Sequence, residues 1–164
     1  MKKDILGTAL LDYYNGNYTE DITTYSSLDE KDVLPLPHLF RDYSQMPNLE
    51  KEALKRCKGT VLDIGCGAGS HSLYLQKHGF DVSCLDYSNG AIQVCKARGI
   101  KKYYQGDLLK TDLATFDTLL LLMNGIGIAG ELKNIDVILN RLKSLLNEDG
   151  QIILDSSDII YMFE

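Results

Sequence analysis

The sequence predicts an α/β fold, a doubly wound parallel sheet preceded by an N-terminal helical arm, and three observations carry that prediction. Past residue 60, short apolar runs alternate with segments of helical length and spacing. Thr118-Leu119-Leu120-Leu121-Leu122-Met123 is apolar without alternation, as a central parallel strand buried on both faces would be. Val61-Leu62-Asp63-Ile64 runs into Gly65-Cys66-Gly67-Ala68-Gly69, a strand that breaks into a glycine turn and opens a helix.

The elements follow in order. Residues 1–47 form the arm, a candidate lid, and residues 48–164 the core, because all three prolines (Pro35, Pro37, Pro47) and half the tyrosines precede the boundary. The arm reads as a helix over 4–14, a polar loop, an extended Leu34-Pro35-Leu36-Pro37 and one helical turn over 38–43, since Pro fixes its own φ and restricts the residue before it. Pro47 suits the first turn of a helix to about residue 57, with Leu49, Ala53, Leu54 and Cys57 on its apolar side. Strands are then expected at 61–63, 81–86, 101–105, 118–123 and 151–155, and helices at 70–78, 90–98 and 131–146, the last carrying Leu132, Ile135, Ile138, Leu139, Leu142, Leu145 and Leu146 at helical spacing. Residues 147–150 read as a turn.

In such sheets ligands bind beyond the C-terminal strand ends, where the strand order reverses. Gly65, Cys66, Gly67 and Gly69, then Asp86, Asp107 and Asn124, all fall at those ends. A glycine loop lets bare backbone approach a ligand. The dinucleotide pattern G-x-G-x-x-G/A is not met, because Ser70 stands at its last position. Asp63, two residues before the first glycine, suits a ligand with an amine or cationic centre better than a pyrophosphate. A nicotinamide dehydrogenase is therefore disfavoured. Asp86 can accept both hydroxyls of a ribose, or else be a helix-start acid favoured by the dipole.

On these residues the sequence resembles the class I S-adenosylmethionine-dependent methyltransferases. Asp63 to Gly69 is similar to that family's first motif, and Val82-Ser83-Cys84-Leu85-Asp86 to its second strand. Tyr104-Gln105-Gly106-Asp107-Leu108 is similar to its third strand and adenine-side loop, Phe116-Asp117-Thr118-Leu119-Leu120-Leu121-Leu122 to its fourth strand, and residues 151–155 to its fifth. The resemblance spans roughly residues 59–158 and implies a Rossmann-like methyltransferase fold with S-adenosylmethionine as cofactor. It implies cofactor contacts at Asp63, Gly65, Cys66, Gly67, Gly69, Asp86, Tyr87, Asp107, Leu108 and Asn124. Asp107 would accept the adenine amino group and the Leu108 N–H would meet a ring nitrogen. Asn124 or backbone carbonyls near it would take the cofactor's ammonium or a polar group of the substrate. Met123-Asn124-Gly125-Ile126 is not the N-P-P-Y pattern of amino-methylating enzymes. The acceptor implied is a small molecule of unidentified class, and no catalytic residue is singled out. The alternative is a binding domain for the cofactor or its product without catalysis of its own.

The family's sheet has seven strands, yet here the chain reaches Ile159-Ile160-Tyr161-Met162-Phe163-Glu164 after the fifth. That reads as a truncation after strand five, a fragment of a longer protein. The other reading is a short chain that covers its exposed strand-five edge as a homodimer.

Composition bounds the partners. With 17 Lys plus Arg against 23 Asp plus Glu, the net charge is −6 and no basic run offers a nucleic-acid footprint. No apolar stretch nears the roughly 20 residues of a membrane span, and no leader pattern opens the chain. Cys57, Cys66, Cys84 and Cys95 form no C-x-x-C pair, so free thiols in a reducing cytoplasm are expected, with neither a disulfide framework nor a metal site. Cys66 as a catalytic thiol and His71 as a general base are weaker readings than a cofactor-loop residue and a neighbour of the ligand. Tyr13, Tyr14 and Arg41 lie in the arm, where aromatic faces attract cations and Arg can fork onto a carboxylate, or where the tyrosines simply pack.

Overall fold

In the computed structural model, which describes residues 3–25 and 31–157, helices cover both faces of a parallel sheet. Residues 159–164, noted above, lie outside the described residues. The elements run α1 (Ile5–Tyr14), β1 (Ile22–Tyr25), β2 (Lys31–Leu34), α2 (Leu36–Leu39), α3 (Asn48–Arg56), β3 (Thr60–Ile64), α4 (Ser70–Lys77), β4 (Asp81–Asp86), α5 (Asn89–Ala97), β5 (Tyr103–Gln105), β6 (Phe116–Leu121), α6 (Ile135–Ser144) and β7 (Leu146–Leu154). The main sheet has the order β5-β4-β3-β6-β7, every neighbour parallel. The order reverses between β3 and β6, which opens a crevice beyond their C-terminal ends.

The period of two in the strands sorts side chains to the two faces. Leu62, Ile64, Leu119 and Leu121 pack with Ile138 and Leu142 of α6. Val61, Val82 and Leu120 pack on the other face with Ala53 and Leu54 of α3 and Leu75 of α4. A fully buried Leu contributes about 1.5–3 kcal/mol, so the unbroken apolar run of β6 anchors both layers.

Four expectations are corrected. The arm's polar loop and the start of its extended stretch are a two-stranded antiparallel hairpin, Ile22 opposite Leu34 and Tyr25 opposite Lys31. Leu49 is 61% exposed, and Glu50 takes the buried position on α3 because it has ion partners inside. Before α6 a 3-10 turn covers Leu132–Asn134, leaving Leu132 exposed, and the α-helix starts only at Ile135. The turn read at 147–150 is an excursion within β7, where pairing jumps from Phe116↔Leu146 to Thr118↔Gln151 and Asp149 takes φ +57°. Among the described residues β7 pairs with β6 alone and forms an edge of the sheet.

The arm is built onto the core. Leu10 and Leu36 share an apolar cluster with Ala68 of the glycine loop and Ala91 and Val94 of α5. Asp4 caps α1 through Gly7 N (2.9 Å), and its other oxygen accepts from Ser88 Oγ (2.9 Å) and Gly90 N (3.0 Å). Ser88 in turn caps α5 through Ala91 N. One carboxylate thus joins the starts of two helices. Burial pushes the Asp4 carboxyl up, but the Gly90, Gly7 and Asn89 N–H groups and the Ser88 hydroxyl together hold it below the usual carboxylate range. The backbones touch here: a Cβ on Gly90 would lie 2.3 Å from the Gly7 carbonyl oxygen.

Candidate functional site

Two cavities meet at the C-terminal ends of the strands and share Gly65 and Asp86. The larger, about 500 Å³, lies between the ends of β3, β4 and β5 and the segment leading to α6; Tyr87, Asp107, Leu108, Ile128 and Ile138 line it. The smaller, about 210 Å³, lies between the glycine loop and the arm; Asp63, Cys66, Gly67, His71, Arg41 and Met123 line it.

Asp86 stands where they join. Its Oδ2 accepts from Gly67 N (2.9 Å) and its Oδ1 from Ser88 N (2.8 Å), which fixes both oxygens and leaves each a free lone pair. Burial raises its carboxyl above the usual range, against those two backbone donors. The glycine loop is held from below, with Gly65 N (2.8 Å) and Cys66 N (3.2 Å) both donating to the Leu85 carbonyl. Gly67 has φ +53° and open space where a Cβ would project, so its backbone is bare toward the cavity. Gly69 has a different reason: a Cβ there would strike Ile100, and it lines neither cavity.

Asp63 is buried beneath the loop and accepts from Ser72 Oγ (2.7 Å). Burial raises its carboxyl, with the nearby His71 pulling the other way. In the larger cavity Asp107 closes a turn by accepting from Leu109 N (2.8 Å). Arg141 of α6 braces the same loop by donating to the carbonyls of Leu108 (3.0 Å) and Thr111 (2.7 Å). Tyr87 is 72% exposed at the rim.

After β6 the chain turns through Met123 and Asn124, both at φ +64°. Two consecutive non-glycine residues in the left-handed region cost about 1–2 kcal/mol each. Asp155 holds the turn, accepting from Met123 N (3.0 Å) and Gly125 N (2.8 Å). Asn124 lines neither cavity, and its side-chain oxygen accepts from Ser157 N (3.3 Å).

Sequence reasoning missed how the arm enters the site. Arg41 forks onto the His38 carbonyl and Glu50 Oε1, and Glu50 Oε2 lies 2.8 Å from His71 Nε2. All three side chains are buried. Burial pushes the Glu50 carboxyl up, but His71 and Arg41 together hold it below its usual value. Arg41 Nε is the buried side-chain polar atom without a partner among the described residues. Ser70, which broke the dinucleotide pattern, donates to the Leu39 carbonyl (2.8 Å) and so ties α4 to the arm. The sequence hinted at this cluster only through His71's nearness to the glycine loop and Arg41's capacity to fork onto a carboxylate; Glu50, which joins them, lies 9 and 21 residues from its partners.

A parallel doubly wound sheet with an acid-centred, two-chambered cleft at its switch point defines a nucleoside-binding domain of the Rossmann-like class. The Methyltransferase domain family matches residues 61–150, and the chain belongs to the class I S-adenosylmethionine-dependent methyltransferases. The structure is similar to that of a SAM-dependent methyltransferase from Bacteroides fragilis in complex with S-adenosyl-L-homocysteine, at 44% identity and a TM-score of 0.92 over 99% of this chain and 68% of that one. A Geobacillus sp. (strain WCH70) protein named as a methyltransferase is 25% identical over 101 residues, 58% of this chain; the chain spans 41% of that relative's length. CalS10, an amino pentose methyltransferase from Micromonospora echinaspora, shares the fold at 21% identity and a TM-score of 0.58, over 68% of this chain and 52% of its own. Among the described residues no helix is long and apolar enough to cross a membrane.

Proposed function

We propose that this chain binds S-adenosylmethionine across the two cavities and serves in methyl transfer to a small-molecule acceptor. The observation that carries the reading is Asp86, a fixed carboxylate at the junction of a larger chamber and a smaller one that holds Asp63, His71 and Arg41. The larger chamber suits adenine, with Asp107 and the Leu108 backbone beside it. Asp86 accepts the ribose hydroxyls. The smaller chamber suits the methionine part: Gly65 and Gly67 leave room for it, and Arg41, whose Nε–H has no partner among the described residues, lines it on the side of the arm and suits a carboxylate. When bound, the cofactor supplies a methyl already activated on a cationic sulfur. The protein's residues then have to position and exclude water, which can supply much of the rate without a dedicated base. The left-handed turn at Met123 borders this chamber, and its carbonyls are set by Asp155.

A second reading is a cofactor-binding domain without its own catalysis. The chain spans 68% of the Bacteroides fragilis protein's length. Under either reading the edge that β7 forms among the described residues suits a homodimer or a further strand, and light scattering on this chain separates dimer from monomer. Titration calorimetry with S-adenosylmethionine, S-adenosylhomocysteine and NADH tests the binding. Micromolar binding of the first two and none of NADH is expected, and preference for NADH overturns the reading. Methyl transfer by this chain from labelled cofactor to amine, hydroxyl or thiol acceptors separates enzyme from binding domain.

A further inference from the structure

The fold converges three thiols that no sequence motif joins. Cys66 comes from the glycine loop, Cys84 from β4 and Cys95 from α5, and their three sulfurs all lie within 4.8 Å of one another. Cys66 Sγ and Cys95 Sγ are 3.7 Å apart. We propose that these cysteines form a three-thiolate site for a soft monovalent cation of the Cu(I) class. The inference does not depend on the reading of the cofactor cleft, although Cys66 also lines its smaller chamber.

Geometry and chemistry select the ion. A metal bound at about 2.3 Å from each of three sulfurs in a plane sets the sulfurs roughly 4 Å apart, a spacing this group nearly has before any movement. Among the described residues no His, Asp, Glu or fourth Cys joins the three. Ile92, Ile100 and Leu73 surround them instead. Thiolates suit Cu(I), zinc and iron–sulfur clusters alike, but zinc in a closed site and the clusters ask for four ligands, so a set of three points to Cu(I).

The Cys95 thiol donates to the Gly67 carbonyl at 3.3 Å, a bond that coordination would replace. On binding, each coordinating thiol releases its proton to solvent and the metal keeps its charge, so no oxidant is needed. Access runs through Cys66, which lines the smaller cavity.

Cys57 supplies an internal control. It is buried outside the group, with its thiol 3.6 Å from the Ala53 carbonyl and pushed up to about 12, chiefly by burial. The test is anaerobic titration of the whole chain with Cu(I) against a chromophoric bicinchoninate chelator. One Cu(I) per chain is expected, with Cys57→Ser unchanged and Cys84→Ser or Cys95→Ser weaker by roughly 100-fold or more. X-ray absorption of the loaded unmodified chain keeps the proposal testable if those variants do not fold. Three sulfur scatterers at one distance support the site. No retained copper, fewer than three sulfurs, or loss of binding in Cys57→Ser overturns it.

Discussion

The two chambers of the cleft are made differently. The larger is lined by the core alone, from strand ends and the loops that follow them. The smaller is shared, with Leu6, Leu34, Leu39 and Arg41 of the arm facing the glycine loop. The core presents a ready platform for a nucleoside. On the proposed reading the arm adds Arg41, whose ion pair with the core residue Glu50 exists only when the arm is docked. Breaking each chamber separately should therefore give different binding signatures.

The largest effect is expected at the shared wall. Gly67→Val should abolish binding of both S-adenosylhomocysteine and adenosine while far-UV circular dichroism stays near that of the parent, because a β-branched residue is forced to φ +53° with its side chain in the cleft. Normal binding by the folded variant would remove the loop from the site. Next comes Asp86→Ala, which should weaken both ligands by roughly 10- to 100-fold, the worth of one or two charge-assisted hydrogen bonds. A change under threefold would show that Asp86 does not hold the ribose.

Arg41→Gln sharpens the contrast. It should cost S-adenosylhomocysteine about tenfold in affinity, as a bond to a charged group does, and leave adenosine unchanged. Equal losses for both ligands would mean that Arg41 acts only by holding the arm. Asp107→Asn should show the reverse emphasis, weakening adenosine and S-adenosylhomocysteine alike by a few-fold.

Acid separates the two regions as well. Asp86 is raised by burial, so it takes up its proton at a higher pH than an ordinary Asp, and ribose acceptance is lost as pH falls through that raised value. Asp4 is lowered, so its contribution to arm docking is complete above the usual Asp range and is lost only as pH falls below it. Ligand affinity should therefore decline on acidification before hydrogen exchange in α1 speeds up. Asp86→Asn should flatten the first transition and leave the second. Coincident transitions would show that binding and docking are one event.

Much of the core was legible in the sequence because buried parallel strands announce themselves as apolar runs closed by Gly or Asp. In the larger chamber Asp86, Asp107 and Leu108 follow from strand ends, whereas Ile128, Val137 and Ile138 come from the segment after β6 and from α6 and carry no such signal. The arm was legible less well. Its hairpin strands are four residues each, mostly exposed, with too little apolar alternation to register. Glu50 sits on a helix whose charged residues otherwise face water, and only its partners, distant in sequence, make its burial affordable in a fold. Gly69 and Asn124 belong to the motif by spacing, yet their places in the fold are explained by packing and by a turn.

The contact of Gly7 with Gly90 has a consequence for sequence variation. Any side chain at position 90 would enter the backbone of α1, and any at position 7 would meet Asp4 and Ser88. Position 90, where the obstacle is backbone, is therefore closed to every other residue as long as α1 lies where it does, and a side chain at position 7, 83 positions away, would displace the Asp4 and Ser88 side chains that cap the two helices. In relatives that keep the arm the two positions should stay a glycine pair, and where one is lost the other should drift with it. A chain's membership in the group that docks its arm this way could then be read from two letters, far from any motif that touches the cleft.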